Sequence, residues 1–373
     1  MTESALTSAD QGNGIGRLVR HLAGAAVRHW PPGSRLFLVG EQAGWVIDEE
    51  LRAVDRIARE CGVRVASRRL LTSSRHQAVF YGSHFTLLVE PWEPVRHRLG
   101  TTYFHGRPGT PGMPEFDVPY RILRAHHERL DRVQVSHGEM EDIVLESGIA
   151  PEKVHRIPIG IEASYFGRAT PELRADARRS LGLPQTAYVV GSFQKDGVGW
   201  GDGLEPKLVK GPDVFADTLE RVRQRVPELH VLLSGPARGY VRRRLEEAGI
   251  PYVHRVLDRY EDVAGLYYAL DAYLVASRQE GGPKAVLESM ATGVPLVTTR
   301  VGQAMDIVEH GRNAFMVEPE DFEGLAEWLV HVAEAGSALD AVRAAGFKAA
   351  AANTYDGQAP LWRSFLTGFV ELP

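Results

Sequence analysis

The sequence predicts an α/β protein of two domains, each built around a parallel β-sheet that helices cover on both faces. Short apolar runs such as residues 36–39 and 188–192 alternate along the chain with longer segments of helical periodicity, which is typical of βα units. The chain also has 373 residues, more than one compact domain usually holds. We therefore expect a first domain at residues 1–170, a second at 171–355 and a C-terminal segment at 356–373.

The composition excludes several classes of protein. Hydrophobic residues make up 44% and charged residues 24% of the chain, and the net charge of −5 provides no basic surface for nucleic acid. The single cysteine, Cys61, allows no internal disulfide and fits a reducing compartment. Because no run of about 18 apolar residues occurs, we expect a cytoplasmic protein without a transmembrane segment.

The first domain is predicted to alternate helices and strands. Its helices are predicted at 15–29, 47–60, 120–130 and 139–147, and its strands at 36–39, 63–66, 101–104, 132–136 and 154–157. The glycines at 12, 14 and 16 resemble a nucleotide-binding loop, but no strand precedes them, so that interpretation fails. The glycine-containing loop at 40–44 does follow a strand, where it is either an ordinary βα turn or a substrate loop.

His105 follows the strand that ends at residue 104 and opens a loop rich in proline and glycine. Ligands of open α/β sheets bind at the carboxyl ends of the strands, so this position favours a site residue over a structural histidine. Arg107 lies two residues further on and could reach a phosphate or an acidic acceptor, although a solvent-exposed arginine is the ordinary alternative.

The second domain is predicted to begin with Thr170 as an N-cap and Pro171 as the first residue of a helix. Its helices are predicted at 171–183, 213–226, 240–248, 262–270, 285–290 and 322–333, and its strands at 188–192, 230–234, 250–256, 272–276, 294–297 and 314–317.

Residues 277–288 are the most informative stretch. A buried strand at 272–276 enters it, and Pro283 suits the first position of the helix that follows. Gly281 and Gly282 would then lie at a helix N-terminus. Free N–H groups and the helix dipole attract a phosphate there, and the absence of side chains lets it approach closely.

Two glutamates flank this helix start. Glu280 directly precedes the glycines, and Glu288 lies six residues past Gly282, about 9 Å along the axis at 1.5 Å per residue. The Glu288 side chain is expected to lean back toward the N-terminus. A diphosphate at the helix start would therefore leave a ribose within reach of the Glu288 carboxylate.

The spacing of these glutamates, with the glycines between them and the strand that follows, resembles the signature of the retaining nucleotide-sugar glycosyltransferases of family 4 (glycosyl transferases group 1). Residues 157–160 and 290–297 are similar to further segments of that family. The resemblance implies a GT-B fold, in which two Rossmann-like domains face each other across a cleft and a C-terminal helix crosses back to the first domain. It also implies retaining transfer of a sugar from a UDP- or GDP-sugar.

The residue patterns and the resemblance together suggest roles for individual residues. The candidate catalytic residues are His105 and Glu280. The candidate donor-binding residues are Lys207, Lys210, Gly281, Gly282, Pro283 and Glu288. The candidate acceptor-side residues are Gly44, in the loop after the first strand, and Arg107.

The donor site departs from the family pattern at one point. Family members carry Gly-Arg at the end of the first strand of the second domain and Lys-Gly further on, and both basic side chains bind the donor diphosphate. Here Lys210 provides the lysine, but Ser192 stands in place of the arginine. Lys207 or Lys195 could supply the second positive charge, and we favour Lys207.

No Asp-x-Asp pair occurs at a strand end, and the resemblance implies no metal at the reacting centre, so we expect neither a metal nor another cofactor. The acceptor is expected to be small and soluble, such as a sugar or a natural-product scaffold. Two alternatives remain open: another GT-B enzyme acting on nucleotide sugars, such as an epimerase, or a binding protein that keeps the fold without turnover. The intact pair of glutamates favours an enzyme, whereas the missing arginine favours a binding protein.

Overall fold

The computed structural model describes residues 30–40, 46–89 and 97–373. The predicted helix at 15–29, the glycines at 12, 14 and 16, and Gly44 lie outside these ranges. The strands are β1 (Leu36–Val39), β2 (Val65–Ala66), β3 (Ala78–Tyr81), β4 (Arg98–Tyr103), β5 (Arg132–Val135), β6 (Val154–Arg156), β7 (Tyr188–Phe193), β8 (Leu229–Ser234), β9 (Tyr252–Arg255), β10 (Ala272–Val275), β11 (Leu296–Thr299) and β12 (Phe315–Val317).

Helices connect the strands throughout the described part of the chain. They are α1 (Val46–Glu60), α2 (His84–Val89), α3 (Asp117–His126), α4 (Gly138–Glu146), α5 (Pro171–Leu181), α6 (Pro212–Arg225), α7 (Gly239–Glu247), α8 (Val263–Tyr267), α9 (Lys284–Thr292), α10 (Ala304–Ile307), α11 (Phe322–Ala335), α12 (Asp340–Ala352) and α13 (Ala359–Leu366). None of the helices described is long and apolar enough to cross a membrane.

The strands form two six-stranded sheets. The first has the order β2-β1-β3-β4-β5-β6 and the second the order β12-β11-β10-β7-β8-β9, and the described strand pairs in both are parallel. Parallel neighbours need crossover connections, which place helices on both faces and bury the strands. All four residues of β10 are accordingly buried. The predicted fold class, α/β with two parallel-sheet domains, is confirmed.

Local sequence explains where helices begin and end. In α5, Thr170 Oγ1 accepts a backbone hydrogen bond at 3.2 Å, and Pro171 occupies the first helical position, as predicted. Gly182 ends the helix with a φ of +71°, a left-handed conformation that glycine adopts without steric cost. The prediction for α9 was wrong by one residue. Pro283 has a ψ of 108° and is the N-cap, so the helix begins at Lys284.

Other predicted bounds shift by a few residues. The helix predicted at 120–130 begins at Asp117, and its last turn is a separate 3₁₀ turn at His127–Arg129. The helix predicted at 262–270 shortens to α8, with a 3₁₀ turn at Tyr260–Asp262 before it. Helix ends fray into such turns readily, so sequence periodicity does not locate them closely.

The C-terminal helix α13 packs on the first domain, although it follows the second in the chain. Trp362 and Phe365 are fully buried in one apolar cluster with residues of α1 and β1. Both rings contact Phe80 of β3, with centroids 5.8 and 5.2 Å away. Arg132 at the start of β5 also donates a hydrogen bond to the carbonyl oxygen of Phe365 at 3.1 Å.

Direct hydrogen bonds join the two domains near the carboxyl ends of the first sheet. Ser136 Oγ, just after β5, donates to the carbonyl oxygen of Gly281 at 2.6 Å. The backbone N–H of Ile159 donates to Gln303 Oε1 at 2.8 Å. The first of these buried contacts holds the turn before α9 against the end of β5, and the second joins the segment after β6 to the residue before α10.

Candidate active site

A cavity of about 480 Å³ lies between the two domains. The first domain contributes residues at and beyond the ends of β3 and β4, and the second contributes the segment before α6 and the turn before α9. Six of the residues predicted from the sequence line this cavity together: His105, Lys207, Lys210, Glu280, Gly281 and Gly282. The cavity therefore occupies the usual position of ligands in open α/β sheets, outside the carboxyl ends of the strands.

Glu280 lines the cavity with both carboxylate oxygens engaged. Its Oε1 accepts a hydrogen bond from Ser277 Oγ at 2.8 Å, and its Oε2 lies 2.5 Å from Lys210 Nζ. The Glu280 side chain is only 10% exposed, so this charge-assisted hydrogen bond is partly shielded from water. Glu280 and Lys210 are thus paired with each other. The sequence had assigned Glu280 to catalysis and Lys210 to binding of the donor diphosphate.

Lys207 and Lys195, the two candidates for the second positive charge, lie in different surroundings. Lys207 lines the cavity, and burial together with the neighbouring Lys210 charge lowers the pKa of Lys207. Lys195 stacks over the ring of Trp200, with Nζ 4.7 Å from the ring centroid, and does not line the cavity. The structure therefore groups Lys207, rather than Lys195, with Lys210.

His105 lies two residues beyond β4 among aromatic rings. The ring centroids of His84, Phe85 and Phe116 are 5.5, 5.5 and 5.8 Å from its own. Burial in these surroundings, with a smaller contribution from the Lys210 charge, lowers the pKa of His105 to about 4. Its imidazole is therefore neutral at pH 7, with one nitrogen that donates and one that accepts.

Gly281 and Gly282 pack so closely against neighbouring residues that a side chain would not fit at either position. A Cβ atom on Gly281 would lie 2.7 Å from the carbonyl oxygen of Phe104, and one on Gly282 would lie 2.7 Å from Gln303 Oε1. Such distances are too short for real Cβ atoms. Contacts within the chain therefore explain both glycines. The close approach of a phosphate, which the sequence suggested, is not needed to explain them.

Glu288 is a predicted donor residue that the structure does not bring to the cavity. Its buried carboxylate accepts hydrogen bonds from the hydroxyls of Tyr260 and Tyr267, the latter at 2.8 Å. Burial raises the pKa of Glu288, and the two hydroxyls partly offset that effect. A carboxylate has about four lone-pair sites, but a ribose would reach those that remain only after Tyr260 had moved aside.

The remaining predicted residues lie around this cavity. A second, larger cavity of about 1050 Å³ adjoins the first and shares Lys207 and Glu280 with it. Arg107 lines this larger cavity and forms an ion pair with Glu139. Pro283 lines neither cavity and serves as the N-cap of α9.

Arg238 lies close to the point where the family arginine is missing. Its guanidinium donates to the carbonyl oxygen of Ser192 at 2.7 Å, and its Nε lies 3.0 Å from Asp196 Oδ1. Both charged side chains are fully buried. Arg238 therefore holds the long loop after β7 in place, and its buried guanidinium is not available to bind a phosphate.

A buried polar chain also links the domains beside the cavity. Lys284 Nζ donates to the hydroxyl of Tyr355 at 3.0 Å, and that hydroxyl donates to Glu50 Oε2 at 2.9 Å. The three residues are far apart in the sequence, so no local motif indicates the chain. One feature of the sequence could have indicated a buried partner for Lys284. This lysine is the first residue of α9, where the helix dipole disfavours a positive charge.

Comparison with solved structures identifies the architecture as the GT-B fold. The structure of Anabaena HepE in complex with UDP-glucose superposes with a TM-score of 0.71 and covers 89% of this chain and 99% of that one. The two sequences are 16% identical, so the likeness shows the fold alone.

Sequence comparison adds a family for part of the chain. Residues 203–335 match the family model for glycosyl transferases group 1, and this segment holds Lys207, Lys210 and all of α9. Among curated relatives, D-inositol 3-phosphate glycosyltransferase of Corynebacterium urealyticum is 27% identical over 46% of this chain and 40% of its own length. The enzyme of the same name from Actinosynnema mirum is 27% identical over 73% of this chain and 69% of its own length. The first of these alignments therefore spans less than half of the relative.

Proposed function

We propose that this protein is a retaining glycosyltransferase of the family 4 type, which moves a sugar from a UDP- or GDP-sugar to the hydroxyl group of a small soluble acceptor. One observation carries the proposal: His105 from the first domain meets Lys207, Lys210 and Glu280 from the second in one cavity. The names of the relatives, which are glycosyltransferases, and the UDP-glucose bound by a structural neighbour support it.

The reaction breaks the bond between C1 of the sugar and the diphosphate and forms a bond between C1 and the acceptor oxygen. The acceptor hydroxyl loses its proton, and the departing nucleoside diphosphate gains negative charge. Lys207 and Lys210 would stabilise that charge. Fixed cationic groups in a partly water-excluded site act more strongly on a developing charge than they would in water.

Glu280 would act on the sugar itself. Its carboxylate can accept hydrogen bonds from sugar hydroxyls and stabilise the positive charge that an oxocarbenium-like transition state develops at the ring. When a diphosphate draws Lys210 away, Glu280 Oε2 becomes free for the sugar while Oε1 stays bonded to Ser277. The ion pair between Glu280 and Lys210 would thus hold both groups in position.

His105 would serve as a neutral hydrogen-bonding group between the two substrates. Because the pKa of His105 is lowered to about 4, the ring adds no positive charge to a site that already holds two lysines. Its free nitrogen could orient a sugar hydroxyl or the attacking acceptor hydroxyl. Glu288 would bind the ribose once Tyr260 had swung away from it.

A thermal-shift panel of nucleoside diphosphates and nucleotide sugars tests the donor. A ligand present at 100 times its dissociation constant stabilises the folded protein by about 2.7 kcal/mol, so the correct donor raises the melting temperature clearly. The same donor, incubated with the protein alone and with acceptors, is expected to release nucleoside diphosphate. Nuclear magnetic resonance of the product then shows whether the donor's anomeric configuration is retained.

The same assays separate the alternatives. An epimerase would convert the donor into another nucleotide sugar without releasing nucleoside diphosphate. A binding protein would show a thermal shift but neither hydrolysis nor transfer. A folded protein that no nucleotide stabilises would overturn the proposal.

A further inference from the structure

Three buried polar atoms that lack a hydrogen-bond partner in the described part of the chain lie around the cavity between the domains. Glu50 Oε1, His84 Nε2 and Gln279 Nε2 are buried and have no hydrogen-bond partner among the described residues, and all three side chains line the cavity. Glu50 and His84 are only 3% and 2% exposed. Buried polar atoms in folded proteins are nearly always paired, so these three atoms are available to a polar ligand bound in the cavity.

The Glu50 carboxylate is held through its Oε2 atom. Its Oε2 accepts the hydrogen bond from Tyr355, which in turn accepts one from Lys284. Burial raises the pKa of Glu50 to about 7, and the Lys284 charge, the Tyr355 hydroxyl and the Gly160 N–H each oppose that rise. The Tyr355 hydroxyl bonds Oε2, whereas Oε1 has no partner of good hydrogen-bond geometry among the described residues.

His84 places a second hydrogen-bonding atom on the same wall. Its ring stacks on Tyr103 with centroids 4.5 Å apart and meets the His105 ring edge to face. Burial, with a smaller contribution from His105, lowers the pKa of His84, so the ring is neutral. Its Nε2 can therefore donate or accept one hydrogen bond, depending on the tautomer.

The cations that line the cavity come from one domain, whereas carboxylates come from both, Glu280 from the second and Glu50 and Glu115 from the first. Among the described lining residues, the cations are Lys207 and Lys210, both in the second domain, whereas the first-domain wall carries the carboxylates Glu50 and Glu115. Aromatic side chains, Phe85, Phe104 and Phe116, cover the rest of that wall. A phosphate group on this wall would meet carboxylates and apolar rings without a cation to neutralise it.

We propose that Glu50 and His84 form the acceptor subsite and that the group bound there is part of an uncharged or amino-bearing polyol, not a phosphorylated one. This inference rests on the function proposed above. Glu50 Oε1 accepts a hydrogen bond from a hydroxyl or ammonium group of the acceptor, His84 Nε2 bonds a second hydroxyl, and the apolar face of the polyol packs on the phenylalanine rings.

The test compares acceptors that differ only in charge. Glucose, glucosamine and glucose 6-phosphate, and inositol beside inositol 3-phosphate, are each added to the protein with its donor, and release of nucleoside diphosphate is measured above the rate with water. We expect at least one neutral or amino member to stimulate release, with kcat/KM about tenfold or more above that of its phosphorylated counterpart.

Variants locate the effect. Glu50→Gln is expected to raise the acceptor KM about tenfold while leaving the dissociation constant of the nucleoside diphosphate within about twofold, since Glu50 lies on the opposite wall from the lysines. Glu49→Gln is the matched control, because Glu49 pairs with Arg52 and does not line the cavity. His84→Phe keeps the ring packing, removes Nε2 and is expected to raise the acceptor KM several-fold, which keeps the test decisive if Glu50→Gln does not fold.

Three results would overturn the inference: a phosphorylated member as the best acceptor, stimulation by no member at all, or an acceptor KM that neither variant changes relative to Glu49→Gln. Failure of the underlying function looks different. In that case the wild-type protein neither binds a nucleotide nor releases nucleoside diphosphate, with or without an acceptor.

Discussion

The two walls of the cavity differ in how far the protein satisfies their polar groups. On the second-domain wall, Glu280 and Lys210 bond each other, and Ser277 takes the remaining carboxylate oxygen. On the first-domain wall, Glu50 and His84 each keep a buried polar atom without a partner among the described residues. The Glu280–Lys210 pair is therefore satisfied within the protein, whereas Glu50 and His84 keep polar atoms that a bound substrate could pair.

Mutations of paired and of unpaired polar groups in the cavity are expected to have different effects. A substitution of Glu280 or Lys210 breaks interactions that already exist within the protein. Such substitutions are expected to affect the chemical step and the stabilisation of the leaving group. Changing an unsatisfied wall removes interactions that form only with the ligand, and it also relieves the cost that the unpaired groups impose on the free protein.

Glu280→Gln is expected to have the largest effect on catalysis among the variants described below. Glutamine keeps the shape and the hydrogen bond from Ser277 but removes the charge that faces the sugar, so kcat is expected to fall roughly 10²- to 10³-fold. Affinity for the nucleoside diphosphate should stay the same or rise, because Lys210 is released from its ion pair. Steady-state kinetics and calorimetric titration check the two parts. A parallel loss of kcat and nucleotide affinity would instead indicate a structural role.

Glu50 should make stability depend on pH. The pKa of its carboxyl is raised from 4.5 to about 7 by burial, so the folded state holds a proton that the unfolded state releases between these values. Wild-type stability relative to Glu50→Gln is therefore expected to be greatest below pH 4.5 and to fall as the pH rises through 7, by up to about 3 kcal/mol. Urea unfolding at pH 5 and pH 7.5 measures this. A difference that grows with pH contradicts the burial of an unsatisfied carboxyl.

Gly281→Ala tests the contact between the walls. The new Cβ would lie 2.7 Å from the carbonyl oxygen of Phe104, so the turn before α9 must move away from His105. Because small misplacements of reacting groups are costly, transfer is expected to slow about tenfold, with less effect on nucleotide affinity. Gly265→Ala in α8 is the control, since a Cβ there meets open space and alanine favours a helix. Equal rates in the two variants would show that the close approach is not needed.

Tyr260→Phe should give the smallest effect, a change of a few-fold. Removing this hydroxyl frees a carboxylate oxygen of Glu288 for a ribose, so the nucleoside diphosphate is expected to bind slightly more tightly, whereas Glu288→Gln should weaken it. Calorimetric titration of both variants decides the point. Weaker binding in Tyr260→Phe would mean that the tyrosine itself contacts the nucleotide.

The sequence predicted the second-domain wall far better than the first. Strand, turn and helix follow each other within residues 272–292, so local patterns place Glu280 and the glycines correctly. The two sheets and the parallel topology follow from the same alternation of apolar runs and helical periodicity. The preference for Lys207 over Lys195 also agrees with their positions in the structure.

What the sequence could not predict depends on contacts between distant segments. Glu50, Tyr355 and Lys284 meet only after the two domains have packed together. The covering of Glu288 by Tyr260 and Tyr267 likewise depends on a side-chain packing that helix periodicity does not specify.

We expect the second-domain wall of the cavity to bind the diphosphate of a nucleotide. A matched pair of lysine variants tests this expectation most directly. UDP and GDP are titrated calorimetrically into the wild-type protein, Lys207→Met and Lys195→Met. We expect one of them to bind the wild type, to bind about tenfold more weakly to Lys207→Met, and to bind Lys195→Met within about twofold of the wild type. If neither nucleotide binds the wild type, or if both variants weaken binding equally, this expectation is wrong.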